Sequence, residues 1–133
     1  MGGAQAMIVA GIGCRRGCTA DEIVALVRRA MEEAGAAHCR LTALAAPSFK
    51  RDEPGLRAAA DILALPLFHV GDDRLTAVQA DCPTRSASAL AATGQASIAE
   101  AAALAAAGPG GRLVLARIKS AAATCALAER RPR

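Results

Sequence analysis

The chain is organised around one stretch near its amino terminus, Met7-Ile-Val-Ala-Gly-Ile-Gly-Cys-Arg-Arg-Gly-Cys-Thr-Ala-Asp-Glu22. Its first residues are apolar and partly β-branched, which is typical of a buried strand. Three glycines that allow a sharp turn and a close approach to a ligand follow: Gly11, Gly13 and Gly17. Thr19 is a good N-cap, and Glu22 completes a Thr-x-x-Glu capping box before an apolar-periodic run. The stretch predicts a strand, a glycine loop and the start of a helix.

The predicted loop leads into a helix amino terminus, whose unpaired backbone N–H groups attract anions. The dipole of such a terminus favours an anion by roughly 0.3–1 kcal/mol, and Arg15 and Arg16 add positive charge beside it. Cys14 and Cys18 share this surrounding, so we expect the pKa of both thiols to be lowered. The loop lacks the lysine of a P-loop, and Gly17 stands one residue too late for a dinucleotide fingerprint. It predicts an anion site or, alternatively, an ordinary turn with solvated arginines.

Length and composition limit the class of protein. A chain of 133 residues, 53% hydrophobic with few aromatics, predicts a single domain over residues 1–133 with an aliphatic core and frayed ends at residues 1–6 and 129–133. No apolar run suits a membrane span and no signal peptide is evident, so we expect a cytoplasmic protein without membrane contact. The five cysteines lack zinc-type spacing and the two histidines are isolated, which predicts reduced thiols, no metal site and no cofactor.

The charge balance points to a small anionic partner. Sixteen basic residues against twelve acidic ones give a net charge of +4, and arginine greatly outnumbers lysine. The planar guanidinium group of arginine suits carboxylate and phosphate groups. The basic residues are scattered and are not interleaved with aromatic ones, which argues against nucleic acid as a partner.

Hydrophobic periodicity predicts alternating strands and helices. Strands are predicted at residues 7–9, 41–46, 66–70, 112–119 and 121–127. Helices are predicted at residues 20–34, 54–63 and 86–92, and from a second capping box, Ser97-Ile-Ala-Glu100, to about residue 107. The glycines that follow three of these helices act as stop signals. A polar loop at residues 48–55 follows the second strand.

The order of these elements predicts the fold. A strand, a helix and a strand of this length imply a right-handed βαβ unit, so the first two strands should be parallel. The last two strands are joined too tightly for a crossover and should be antiparallel neighbours. We therefore predict an α/β fold with three layers, α/β/α, around a mostly parallel sheet of about five strands with an antiparallel C-terminal strand. Ligands bind outside the carboxyl ends of parallel strands, where Arg15, Arg16 and Lys50 would converge.

Four motifs, in this order, resemble the cobalamin-biosynthesis family that comprises CobE and the C-terminal domain of CbiG. They are Gly11-Ile-Gly-Cys-Arg-Arg-Gly17 with Thr19-Ala-Asp-Glu-Ile23, then Lys50-Arg-Asp-Glu-Pro-Gly-Leu56, then Ser97-Ile-Ala-Glu-Ala-Ala-Ala103, and a late basic strand that ends in Lys119-Ser120. The resemblance covers roughly residues 8–127. The family pattern Pro-Lys-x-Lys is Ala116-Arg117-Ile118-Lys119 here, so the role of the first lysine passes to Arg117. Nothing corresponds to the N-terminal part of CbiG, so we expect a stand-alone member of the family.

The resemblance implies a role in converting precorrins, macrocycles ringed by acetate and propionate groups, into the corrin ring. Arginine forks, loop N–H groups and a helix terminus suit those carboxylates. The leading hypothesis is a protein that binds or carries a precorrin or corrin intermediate, with other enzymes of the cobalamin pathway as further candidate partners. The predicted ligand-binding residues are Gly11, Gly13, Cys14, Arg15, Arg16, Gly17, Thr19, Lys50, Arg117 and Lys119.

Two alternatives use the same region. The longer relatives open a precorrin ring lactone with loss of a two-carbon aldehyde, so the resemblance also allows a hydrolase, with Asp52 or Glu53 as the base and Lys50 or loop amides stabilising the oxyanion. The alternative interpretation of Lys50, Asp52 and Glu53 is a solvated, charged helix start, in which the two carboxylates complement the helix dipole. The other alternative is a phosphate- or nucleotide-binding domain, against which the missing P-loop lysine and the missing acidic residue after the second strand count.

Overall fold

A computed structural model describes residues 6–132, and within them the chain forms five strands and five α-helices. The strands are Met7–Cys14 (β1), Ala43–Pro47 (β2), Leu67–Val70 (β3), Arg112–Lys119 (β4) and Ala123–Arg130 (β5). The helices are Ala20–Glu33 (α1), Pro54–Leu63 (α2), Asp72–Ala77 (α3), Ala87–Thr93 (α4) and Ala99–Ala107 (α5). Short 3-10 turns occupy Ser48–Lys50 and Gln79–Asp81. None of the described helices is both long and apolar enough to cross a bilayer.

The strands form one sheet in the order β3-β2-β1-β5-β4. β1, β2 and β3 are parallel, with Ala10 opposite Leu44 and Leu44 opposite Leu67. β5 is antiparallel to both of its neighbours, β1 and β4. The prediction of a mostly parallel sheet of five strands with an antiparallel C-terminal strand is therefore confirmed.

Helices cover both faces of the sheet, which confirms the predicted three layers. On one face α1 and α2 pack over a cluster that includes Ile12 and Leu44, because their apolar residues recur at helical spacing. On the other face α5 and α3 pack over Val9 and Val70. The side chains of α5 are nearly all alanine, so this helix lies very close to β1.

The boundaries of three strands differ from the prediction. β1 runs to Cys14, well beyond the predicted residues 7–9, so Gly11 and Gly13 lie in the strand, paired with β5, and not in a loop. β2 begins and ends later than residues 41–46, because its register is set by pairing with β1 and β3. β5 runs to Arg130, where it pairs with Met7, so residues 129 and 130 belong to the sheet and not to a frayed end. Glu129 is buried there, and the hydrogen bond that its carboxylate accepts from the Arg112 guanidinium at 2.8 Å offsets the cost of burying the charge. The other predicted ends at residues 1–5 and 133 lie outside the described residues.

The predicted N-cap of α1 is confirmed, but the capping box is only half formed. The Thr19 hydroxyl accepts a hydrogen bond from the backbone N–H of Glu22 at 3.2 Å. The carboxylate of Glu22 does not return to Thr19; it accepts hydrogen bonds from the Ala122 N–H, at 2.7 Å, and from the Ser120 hydroxyl. Glu22 therefore joins α1 to the turn between β4 and β5.

This link makes the stability of the fold depend on the charge of Glu22. The hydrogen bond from Ser120 and then that from Ala122 hold the pKa of Glu22 below its usual value of 4.5. A lowered folded-state pKa gives stability that is present above the unfolded pKa and is lost as pH falls through the folded one. We expect Glu22→Gln to lower the free energy of unfolding near neutral pH, and the difference from wild type to shrink below about pH 4, in urea titrations.

The matched control for Glu22→Gln is Asp21→Asn, because Asp21 is an exposed carboxylate of the same first helical turn. Near neutral pH, Asp21→Asn should lower the free energy of unfolding by less than Glu22→Gln does, because Asp21 makes no hydrogen bond to the β4–β5 turn that could be lost. Equal effects of the two substitutions would contradict the role given to Glu22.

Candidate ligand-binding cleft

A cleft of about 530 Å³ lies at the edge of the sheet where the parallel strands end. Its lining comes from the ends of β1 and β2, the turn between β4 and β5, helix α4 and the segment before α5. Ligands of α/β sheets bind at this edge. The volume falls within the range of small-molecule sites, roughly 300–1,000 Å³.

Positive charge and apolar surface dominate the lining of the cleft. The basic side chains are Arg15, Lys50, Arg117 and Lys119, and no acidic residue of the described chain lines the cleft. The apolar part comes mainly from Phe49, Ile98, Ala89 and Ala92, and hydroxyl groups are supplied by Ser86, Ser88, Thr93 and Thr124. Phe49 is 44% exposed, about as much as Phe68, the other aromatic residue, which lies outside the cleft. Such a lining suits an anion with a large apolar body.

The structure brings six of the predicted ligand-binding residues to this cleft: Gly13, Cys14, Arg15, Lys50, Arg117 and Lys119. Their contact with a ligand stays a prediction. Arg16 is exposed beside the cleft and does not line it. Gly17, at a φ of +79°, donates its N–H to the Glu53 carboxylate at 3.1 Å. The Thr19 hydroxyl is already engaged as the N-cap of α1.

Gly11 was predicted to let a ligand approach, but the structure gives it a packing role. It is buried under α5, and a Cβ atom added to it would lie 2.0 Å from the carbonyl oxygen of Ala99 and 2.6 Å from the nitrogen of Ala103. Gly13 does line the cleft, and its own added Cβ would meet the Thr124 hydroxyl at 2.6 Å. Gly11 is therefore a strand residue of β1 that makes room for α5, and not part of a ligand-binding loop.

The two carboxylates predicted as a catalytic base do not line the cleft. Asp52 is exposed in the loop before α2. Glu53 accepts the hydrogen bond from Gly17 and so ties this loop to the glycine loop. The backbone of Gly55 also packs directly against that of Cys18. A Cβ atom added to Gly55 would lie 2.1 Å from the carbonyl oxygen of Cys18, so there is no room for a side chain.

The thiols of Cys14 and Cys18 are shifted in the direction opposite to the prediction. Burial raises the pKa of Cys14 to about 11, although Lys50 acts to lower it. Burial also raises the pKa of Cys18, and the carboxylates of Glu22 and Glu53 add to the effect. The prediction of lowered pKa values was wrong because the loss of hydration destabilises a buried thiolate more than the nearby positive charge stabilises it. Within residues 6–132 no cluster of three or more His, Cys, Asp and Glu side chains could hold a metal ion.

The raised pKa of Cys14 predicts slow alkylation in the folded protein. We expect iodoacetamide to modify exposed Cys39 first near neutral pH, and the rate at Cys14 to climb with pH towards about 11, because only the thiolate reacts. Peptide mass spectrometry of time points measures both rates, and urea-unfolded protein, in which the two thiols should react alike, is the control. Equal rates for Cys14 and Cys39 in the folded protein would contradict the raised pKa.

Sequence reasoning missed Glu100, whose carboxylate is completely buried beside the cleft. One carboxylate oxygen accepts hydrogen bonds from the Thr84 N–H at 2.9 Å and the Ser97 hydroxyl at 3.2 Å, and the other accepts from the Arg117 N–H at 2.9 Å. The predicted capping box at Ser97 is therefore wrong, since Ile98 is the N-cap of α5. A single charged residue within an alanine-rich run was the available signal.

Sequence reasoning predicted helix α4 but missed its part in the cleft, to which it contributes several residues although none of them is buried. Its length was nearly right, with Ser86 as the N-cap and Gly94 as the stop. The small polar and alanine side chains of this helix gave no signal for ligand binding. A second cavity, of about 620 Å³, lies at the opposite edge of the sheet beside Arg74, Asp81 and Arg112, away from the predicted site residues.

The fold and the cleft define an α/β protein with a basic cleft at the carboxyl ends of its parallel strands. Residues 8–128 match the family described as cobalamin synthesis G C-terminus, and the chain belongs to this family. It is 38% identical over 125 residues to Protein CobE of a Sinorhizobium species, covering 94% of this chain and 81% of the relative.

Two solved structures extend the comparison. The crystal structure of CobE, a protein from the cobalamin (vitamin B12) biosynthetic pathway, is 41% identical with a TM-score of 0.89 and coverage of 96% of this chain and 94% of that one. Cobalamin biosynthesis protein chiG from Agrobacterium tumefaciens is 44% identical with a TM-score of 0.73 and coverage of 92% and 97%. The resemblance seen in the motifs is confirmed, and the chain is a cobalamin-biosynthesis protein of the CobE and CbiG type.

Proposed function

We propose that the cleft binds a precorrin or corrin intermediate of cobalamin synthesis by the carboxylates at the periphery of the macrocycle. The supporting observation is that Arg15, Lys50, Arg117 and Lys119 line one cleft without an acidic neighbour in its lining. A hydrogen bond to a charged group contributes about 1.5–3 kcal/mol. Several such bonds at different points of the cleft select a ligand that carries several separated carboxylates.

The apolar lining gives the macrocycle itself a surface to rest on. The exposed ring of Phe49 and the side chains of Ile98, Ala89 and Ala92 are available for this contact. Apolar surface removed from water stabilises a complex by about 25 cal/mol per Å². A phosphate or a nucleotide would use the charges but would leave much of this apolar surface exposed, so a tetrapyrrole fits the lining better.

The groups in the cleft favour binding and protection over chemical conversion. The thiol of Cys14 stays protonated near neutral pH, because burial raises its pKa to about 11. The carboxylate of Glu53 accepts a hydrogen bond from the Gly17 N–H and does not line the cleft. The lining thus offers cationic anchors without a carboxylate base, and we assign the protein the role of a carrier for an intermediate.

A visible-absorbance titration of the purified chain with a metal-free corrin and with available precorrins tests this function. A carrier should show saturable binding without a change of the pigment over time. Binding should weaken as ionic strength rises, because the Debye length falls from about 30 Å at 0.01 M to about 3 Å at 1 M. No saturable binding at low salt would contradict the proposal.

Two other outcomes of the titration point to the alternatives. A slow spectral change after binding would indicate an enzyme that acts on the macrocycle. Stabilisation against thermal unfolding by phosphate, ATP or NAD, with none by the corrin, would indicate a phosphate- or nucleotide-binding site.

A further inference from the structure

Glu100 is a buried carboxylate that joins three segments around the cleft. We infer that it is a positioning residue, which fixes the backbone of Arg117 so that the Arg117 guanidinium meets a ligand carboxylate in the cleft. The inference rests on the proposed function, because it assigns Arg117 a partner on the ligand. Glu100 itself does not line the cleft, so it acts through the residue that it holds.

Hydrogen bonds, and not an ion pair, satisfy the buried carboxylate of Glu100. It is completely buried, and among residues 6–132 no basic side chain forms an ion pair with it. Burial of a charge without a counter-ion is costly and is tolerated when hydrogen bonds satisfy the group. Backbone N–H groups of Thr84 and Arg117 and the Ser97 hydroxyl supply those bonds.

The bond to Arg117 lies where the sheet cannot provide one. The pairing of β4 with β5 shifts register between Leu115 and Ile118, so Arg117 falls in an irregular part of the ladder. Its N–H donates to the Glu100 carboxylate at 2.9 Å. Glu100 therefore supplies the hydrogen bond that anchors the irregular part of β4, two residues before Lys119.

The other two bonds connect the same carboxylate to the opposite side of the cleft. The Thr84 N–H lies just before α4, whose N-cap Ser86 lines the cleft. Ser97 adjoins Ile98, which also lines it. One buried carboxylate therefore sets the separation between Arg117 and the α4 side of the site, and with it the width of the cleft that the ligand enters.

A double-mutant cycle on the full chain separates positioning from general damage to the fold. Glu100→Gln keeps the shape but places an amide N–H₂ where one acceptor oxygen stood. We expect it to weaken binding of the metal-free corrin roughly tenfold, as for the loss of one hydrogen bond to a charged group. In an Arg117→Ala background the same substitution should cost less than about twofold, because the side chain that it positions is gone.

The matched background is Arg15→Ala, which removes a cleft arginine that Glu100 does not hold. There Glu100→Gln should again cost roughly tenfold, since distant sites act additively. An equal loss in all three backgrounds, or no loss in the wild-type background, would overturn the inference.

A second measurement tests whether Glu100 fixes the backbone of Arg117 even if the wild-type chain binds no tetrapyrrole, an outcome that would itself count against the proposed function. Amide hydrogen exchange of the ligand-free protein should accelerate at Arg117 and Thr84 in Glu100→Gln, while the buried β1 amide of Val9 keeps its wild-type protection. Unchanged exchange at Arg117 would show that Glu100 does not fix this part of β4.

Discussion

Replacing Gly11 by alanine is expected to lower the free energy of unfolding by about 3 kcal/mol or more, the upper end of the cost of overpacking a core. The added Cβ would lie 2.0 Å from the Ala99 carbonyl oxygen and 2.6 Å from the Ala103 nitrogen. Both are backbone atoms of α5, so no flexible side chain can move aside, and the helix would have to lift from β1. Denaturant unfolding followed by circular dichroism measures the loss.

The control for Gly11→Ala is Gly71→Ala. An added Cβ at Gly71 meets no atom within 4 Å, and the backbone φ there is −70°. Gly71 is the N-cap of α3, so Gly71→Ala should lower the free energy of unfolding by no more than about 1 kcal/mol. If Gly11→Ala proved as stable as Gly71→Ala but lost ligand affinity, Gly11 would be a ligand-approach residue, as first predicted, and the close packing of α5 on β1 would be wrong.

Removing two cleft arginines together should nearly abolish tetrapyrrole binding. Arg15→Ala with Arg117→Ala removes two charge-assisted contacts, together about 3–6 kcal/mol, and each 1.4 kcal/mol is a factor of ten in affinity. We therefore expect the dissociation constant for the metal-free corrin to rise by a factor of roughly 100 or more at low salt. The absorbance titration of the double variant measures this rise.

The matched control is Arg28→Ala with Arg57→Ala, which removes the same charge from exposed positions outside the cleft. This control should bind nearly as well as wild type, apart from a small salt-dependent effect of the lower net charge. Equal losses in the two double variants would mean that net charge, and not the cleft, attracts the ligand.

The sequence was sufficient to predict which strands end together and therefore which charges meet. Parallel β1 and β2 follow from the length of the crossover through α1, and their carboxyl ends bring Arg15 and Lys50 to one edge. The positions of Arg117 and Lys119 in the site came from the family resemblance, because periodicity alone did not place β5 between β4 and β1.

Contacts between residues distant in sequence account for most of what was missed. Gly11 was interpreted through its own loop, whereas its constraint comes from α5, about ninety residues away. Glu22 and Glu100 were interpreted as local caps, whereas their carboxylates accept hydrogen bonds from the β4–β5 turn and from β4. The thiol of Cys14 was judged by neighbouring charge, and its burial, which only the fold determines, raises the pKa instead.

The location of the bound ligand tests the central claim most directly. Amide chemical shifts of the isotope-labelled chain, recorded with and without a metal-free corrin at low ionic strength, report which part of the surface the ligand touches. We predict saturable shifts at Cys14, Ala89 and Thr124 in the cleft, and none at Gly110 or Leu113 beside the cavity at the opposite edge of the sheet. Shifts confined to that opposite cavity, or no saturable shifts at all, would contradict the account.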